Sequence, residues 1–423
     1  MHRGVISVVL STCLVATAMS VAARAQPASP ATKPPEAKFP PPIVFYVAKG
    51  ELGACGPGCR EWIAAEGAID AAAEPRLWEL LRKLGNDRKL PVYFHSPGGS
   101  VIAGFELGRL LRARGLTAGV GWTVPAECDQ QKPDDPLCDQ IKRSGRELAA
   151  ELETRRGVCA SSCVYTVLGG AVRDVGAGAR LGIHDTSMPA TIKSFDENGR
   201  IADVPMRLSA EKERSALEAS QRAIAAYLKE MGISPNLLTA AHAISREKLH
   251  FLTREEIVAF GIDRREAVES AWSLADKSPD VSAVKLIEAR DVEAGPFRTA
   301  MLSLSCRDKT TVRLQYVHEA GAGAESLPVG LRVIAGGRSF PLTHLGNIAQ
   351  SGNRPRVENH GAELPLAALD EAAFVIETAQ PSEGTADKAV RGPVRLAVAA
   401  GPALGALARR CNSDVRRAGG APR

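Results

Sequence analysis

The sequence predicts an α/β domain with a substantially parallel sheet, followed by a small β-rich C-terminal domain. Three observations lead there. From residue 43 to about 124, short β-branched and aromatic runs alternate with segments carrying apolar residues at helical spacing. From about Phe297 the period changes to apolar/polar alternation broken by turn residues. Composition is that of an ordinary globular protein, with 45% hydrophobic and 24% charged residues in a chain of 423.

Taken in order, IVFYVAKGEL (43–52) reads as a strand, and PRLWELLRKL (75–84) as a helix packed on the sheet. LPVYFHS (90–96) is a second strand, ended by Pro97-Gly98-Gly99. A helix runs from Val101 and stops at Gly115, and LTAGVGWT (116–123) is a third strand. Residues 125–156 are polar, charged and long for a connection, so they read as an insertion: a lid, a partner surface or an exposed excursion. VYTVLGG (164–170) is helix-like, LGIH (181–184) a short strand, and residues 186–207 a loop. Leu208 to Met231 is strongly helical, Pro235 to Ile244 starts another helix, and Thr253 with Glu256 forms a capping box closed by Gly261. Residues 272–292 are transitional. AMLSLSC, TVRLQYV, LRVIAGG, AAFVIET and VRLAVAA then supply the strands of the last domain, and SDVRRAGGAPR is a loose tail. The predicted organisation is therefore 1–25 leader, 26–42 proline-rich spacer, 43–275 α/β domain containing the 125–156 insertion, and 295–415 β-rich domain.

The leader reads as an export signal. It has a basic start, an apolar run from Gly4 to Val21, and the small-x-small step Ala23-Arg24-Ala25 before Gln26. An uncleaved membrane anchor is the competing reading, because that run is just long enough to span. Removal of the leader leaves eight cysteines, an even count that in an exported chain points to disulfides with their pairing open. These are Cys55, Cys59, Cys128, Cys138, Cys159, Cys163, Cys306 and Cys411. No C-x-x-C or H-x-x-x-H pair calls for zinc, so no metal and no cofactor is expected. Net charge is +5, but basic and acidic residues are interspersed and aromatics are 4%, which excludes a nucleic-acid footprint. The expected location is periplasmic or secreted, with no membrane span once the signal is removed.

Three ordered segments carry chemistry: HSPGGSV (95–101), CASSCVYTVLGG (159–170) and LGIHD (181–185). Acyl transfer needs a nucleophile, a base, and amide donors aimed at the oxygen that becomes negative. Gly98 and Gly99 after a strand let backbone N–H groups face a cleft, and Ser162 adds another. Ser161 or Ser162 stands at the start of a helix, where an ordinary serine would simply cap it. His184 closes a strand and faces the base role, against the plainer reading of a hydrogen-bonded structural histidine.

These segments resemble the Clp protease proteolytic subunit and its crotonase-fold relatives over roughly residues 43–265. SPGGSVIAGFELGRLL matches the family's glycine turn and helix, Ala160-Ser161 its A-S nucleophile step, Gly182-Ile183-His184 its base, and FLTREEIVAFGID a further motif. The resemblance selects Ser161 over Ser162 and pairs it with His184. It implies a Clp/crotonase-like fold of ββα units, a peptide or unfolded-protein substrate cleaved without ATP, and homo-oligomers. The chain departs at the acidic member, where it has Leu249. Glu247 and Asp185 are the nearest carboxylates, and Lys193 is an alternative base of the serine–lysine kind used by signal-peptide peptidases of that superfamily. Cys159 and Cys163 also depart, resembling an exported branch of Clp-like proteins. A catalytically silent peptide- or envelope-partner-binding protein is the second implied reading, and acyl-CoA chemistry a third.

Overall fold

The run after Pro42 forms β1 (Val44–Lys49), and EWIAAE forms β2 (Glu61–Glu66) antiparallel to it, Val44 facing Glu66. Nothing in the sequence pattern sets β2 apart. Its residues are buried on both faces, so no alternation marks it. α1 (Ala73–Leu84) buries Leu77 and Leu81, and β3 (Val92–His95) joins β2 in parallel. α2 (Val101–Arg114) starts at Ser100, whose side chain accepts the Ala103 N–H, and ends at Gly115. LTAGVGWT is two strands rather than one. β4 (Thr117–Val120) is parallel to β3, and β5 (Trp122–Pro125) turns away after Gly121 to a different partner.

The computed structural model describes residues 40–85, 87–128, 135–186, 191–195, 201–205, 209–277, 280–290, 295–319, 331–348, 356–370, 373–378, 395–399 and 402–413. The expected signal (1–25), most of the spacer (26–42) and the C-terminal tail beyond Ser413, which itself belongs to a helix, lie outside them.

The 125–156 segment is no excursion. After α3 (Pro136–Lys142), β6 (Leu148–Glu153) enters the sheet, antiparallel to β5 and parallel to β1. LAAELE (148–153) alternates as a strand should: Leu148, Ala150 and Leu152 are buried, Ala149 and Glu151 exposed. β7 (Val158–Ala160), α4 (Ser162–Leu168), β8 (Val172–Asp174) and β9 (Arg180–Ile183) follow. The main sheet runs β5-β6-β1-β2-β3-β4-β8. The expected loop 186–207 holds a hairpin, β10 (Thr191–Phe195) with β11 (Ile201–Pro205). α5 (Ala210–Glu230), α6 (Asn236–His242), β12 (His250–Phe251) and α7 (Arg254–Ala259) complete this part, and α7 carries the capping box. A second, three-stranded sheet has the order β12-β9-β7.

The stretch read as transitional is also sheet: β13 (Ala267–Glu269), β14 (Ser273–Lys277) and β15 (Asp280–Ala289). β16 (Arg298–Cys306), β17 (Thr311–Glu319), β18 (Leu331–Ala335), β19 (Arg338–Pro341), β20 (Thr343–Ile348), β21 (Val357–Pro365), β22 (Ala373–Thr378) and β23 (Arg395–Ala399) precede α8 (Pro402–Ser413), a helix the strand periodicity did not announce. One sheet runs β13-β15-β16-β17-β21-β20 with β14 on β15, and another runs β19-β18-β22-β23. Their shared core includes Leu302, Leu304, Leu314, Val333, Ile376, Leu404 and Leu407. A separate core around Ile63, Phe94, Leu107, Val167 and Leu181 lies under the candidate site. The protein is mixed α/β with more strand than helix.

Eight cysteines form four disulfides: Cys55–Cys59, Cys128–Cys138, Cys159–Cys163 and Cys306–Cys411. No helix among the described residues is long and apolar enough to cross a membrane.

Candidate active site

β7 and β9 are parallel neighbours, Ala160 opposite Gly182. Ser161 is the first residue beyond β7 and His184 the first beyond β9, so both leave from the carboxyl ends of adjacent parallel strands, where α/β proteins build their sites. The Ser161 N–H donates to the Gly182 carbonyl at 2.8 Å, extending the ladder by one bond. His184 Nε2 then lies 2.8 Å from Ser161 Oγ, within hydrogen-bond reach.

Ser161 has φ 55 and ψ −124, and among the described residues no other non-glycine has positive φ. Such a conformation costs about 1–3 kcal/mol and persists when its surroundings over-determine it. Here they do. The Cys159–Cys163 disulfide straddles the turn, with both cysteines fully buried. The Ser161 side chain makes no capping bond to α4, so the plain capping role does not account for it.

The glycine turn is hydrogen-bonded alongside the same strand. Ser96 N–H donates to the Val158 carbonyl at 2.8 Å, and Ala160 N–H to the Ser96 carbonyl at 3.0 Å. Gly98 (φ 100) is pressed against the serine turn: a Cβ there would lie 2.6 Å from the Ala160 carbonyl oxygen and 2.7 Å from Ser161 Cβ. Its own N–H is engaged, donating to Ser96 Oγ at 3.1 Å. Of the three expected donors, that leaves Gly99 and Ser162, whose N–H groups have no acceptor among the described residues. Gly99 is exposed, while Ser162 is buried with its Oγ unpartnered.

His184 is half-buried. Burial first, and then the Arg246 charge, hold its imidazole below the ordinary value of 6.5 against the opposing pull of Asp185. Its buried Nδ1 has no side-chain hydrogen-bond partner among the described residues. Asp185 acts on it through its charge and its backbone, and among the described residues no side-chain hydrogen bond joins it to either expected carboxylate. Asp185 faces His242 Nδ1 of α6 at 3.2 Å, an arrangement the sequence did not suggest. Glu247 sits exposed in the turn before β12, and Leu249 is 47% exposed. Lys193 belongs to β10, whose side chains lie outside the described set.

Beside Oγ, Val164, Ile183, Leu237 and Ala241 line a narrow apolar cleft, with Tyr165 and Thr186 hydroxyls 3.1 Å apart at its wall. His95, within the glycine-turn motif, takes no part in this cleft. Burial first, and then Lys142, Arg156 and Arg180, push its pKa down to about 4, and its Nδ1 accepts the Val158 N–H at 3.3 Å. It therefore braces the nucleophile strand as a neutral ring.

No protein-family model matches the chain, and no curated protein does. Among solved structures, a mutant of the 1510-N membrane-bound stomatin-specific protease is similar at 13% identity and a TM-score of 0.27, over 47% of this chain and 75% of that one.

Proposed function

We propose that this chain is an exported serine hydrolase that cleaves peptide bonds without ATP. Ser161 attacks the carbonyl, and His184 Nε2 takes its proton and passes it to the leaving amine. The Gly99 and Ser162 amides hold the oxyanion. The observation that carries this reading is the 2.8 Å Ser161–His184 contact made by a serine in a strained backbone turn. The narrow apolar cleft favours a small apolar acyl-side residue. Four disulfides favour an oxidising compartment, periplasmic or secreted. Peptides or unfolded proteins then suit a hydrolase that no unfoldase feeds, residues 43–275 act as the hydrolytic unit, 295–415 as a docking unit, and copies of the chain associate.

A fluorophosphonate probe tests it. Wild type and Ser162→Ala should label, and Ser161→Ala should not. Labelling that survives Ser161→Ala, or is absent from the wild type, removes the enzyme reading. The second reading, a silent peptide-binding protein, draws on the His184 Nδ1, which has no carboxylate partner among the described residues, since an imidazole without an orienting acid is a weaker base.

The base must be neutral to accept a proton, and its pKa is held down. Activity should therefore rise with pH along a limb whose midpoint lies below the ordinary 6.5. Arg246→Gln removes a repulsive charge, so that midpoint should move upward. A profile of kcat/KM against pH, measured for both proteins, checks the sign. A midpoint that stays put would show that Arg246 does not act on His184.

A further inference from the structure

Far along the chain from the serine, three metal-ligating side chains meet on one face of the C-terminal sheet. β17 and β21 are antiparallel, with His318 opposite Glu358 and Tyr316 opposite His360. Because Glu358 and His360 are two apart on one strand, they share a face, and His318 stands on that face from across the ladder. All three are buried, with exposures of 8% for His318, 1% for Glu358 and 6% for His360. One ligand atom from each lies within 4.8 Å of the other two.

We propose that His318 Nε2, Glu358 Oε2 and His360 Nε2 bind a divalent transition metal, zinc being the ion their chemistry fits best. Two imidazoles and a carboxylate form a borderline donor set of the kind Zn2+ takes.

The spacing supports coordination over simple ion pairing. Glu358 Oε2 is 3.5 Å from His360 Nε2 and 3.8 Å from His318 Nε2, too long for good hydrogen bonds. Donors about 2.0–2.1 Å from one tetrahedral ion stand about 3.3–3.4 Å apart, so a small inward shift suffices. Glu358 Oε2 and His360 Nε2 are buried, and among the described residues neither has a hydrogen-bond partner beyond the long 3.5 Å contact between them, a costly state that a cation would relieve. The other carboxylate oxygen is occupied by the Arg356 guanidinium, which orients the group and leaves Oε2 as its ligand atom. His318 Nδ1 lies 3.4 Å from the Glu319 carbonyl oxygen, to which an Nδ1–H donates, putting the Nε2 lone pair toward the cluster. On the neighbouring strand, His344 pairs with His360 in register, their rings 5.1 Å apart, but its Nε2 faces Asn347 Oδ1 at 3.2 Å, so the fourth position is left to water. Such an ion would tie β17 and β21 together. The spacing rule that excluded zinc from the sequence looked for helical and knuckle motifs, and a ligand pair two residues apart on a strand escapes it.

The test uses the untagged full-length chain, stripped with EDTA and titrated with Zn2+ alone. One equivalent should bind per chain and raise the unfolding midpoint. Glu358→Gln and His360→Ala should each weaken binding at least 10–100-fold and lose the thermal shift. If those variants fold as the wild type does in EDTA yet bind equally well, or if the wild type binds no stoichiometric zinc, the site does not exist. Should they fail to fold, X-ray absorption on the loaded wild type decides. A first shell of imidazole nitrogens with a carboxylate oxygen at about 2.0–2.1 Å supports the proposal, and a sulfur or all-oxygen shell overturns it.

Discussion

Replacing His184 with alanine is expected to lower hydrolysis of an unstructured fluorogenic peptide by about 10²–10⁴-fold, the range a positioned general base supplies. The loss should fall on kcat, because the imidazole acts on a proton in flight and not on the bound peptide. It should sit toward the lower end of that range. A triad histidine is oriented by a carboxylate, whereas the Nδ1 of His184 has no such partner among the described residues, so the pair starts from a lower rate. Asp185→Asn gives the contrast. Since its carboxylate faces His242, it should change the rate far less than His184→Ala does. Equal rates for wild type and His184→Ala would remove the imidazole from the mechanism, whatever its distance from the serine.

The second large effect is on stability. Cys306 lies at the end of β16 and Cys411 in α8, 105 residues apart. In the chain-entropy model, a bridge closing so long a loop contributes about 4–5 kcal/mol by restricting the unfolded chain. The double variant Cys306→Ala, Cys411→Ala should therefore melt roughly 10–20 °C lower by calorimetry, on the scale of a few degrees per kcal/mol for a unit of this size. The packing of Leu404 and Leu407 into the core holds α8 in part, so its helical signal should survive below the new midpoint. A melting point within about 2 °C of wild type would mean the unfolded chain is already compact there.

How much of this was legible beforehand follows from the physics of each element. Alternating strands, the Gly115 stop and the Thr253–Glu256 capping box were readable because their signals are local. β2 was missed since burial on both faces erases alternation, and β6 since a polar flank and two cysteines made its surroundings look like a surface insertion. α8 was hidden by alanines and a glycine that carry little periodicity. At the site, the order of motifs named Ser161 and His184, and the fold brings them together. What sequence spacing has no means to encode is which N–H a neighbouring hydroxyl captures, as Ser96 does with Gly98, or which way a carboxylate such as Asp185 turns.

The cross-links also set an order of assembly. Three join cysteines 4, 10 and 4 residues apart, while the last waits for residues 105 apart to meet. Loops of ten residues close in about 10–100 ns, so six of the eight thiols find their mates by local diffusion as the chain emerges. Mispairing is then largely a matter of kinetics at the two remaining thiols. Oxidative refolding should need an isomerase little, and a trapped intermediate should carry two free thiols, at Cys306 and Cys411.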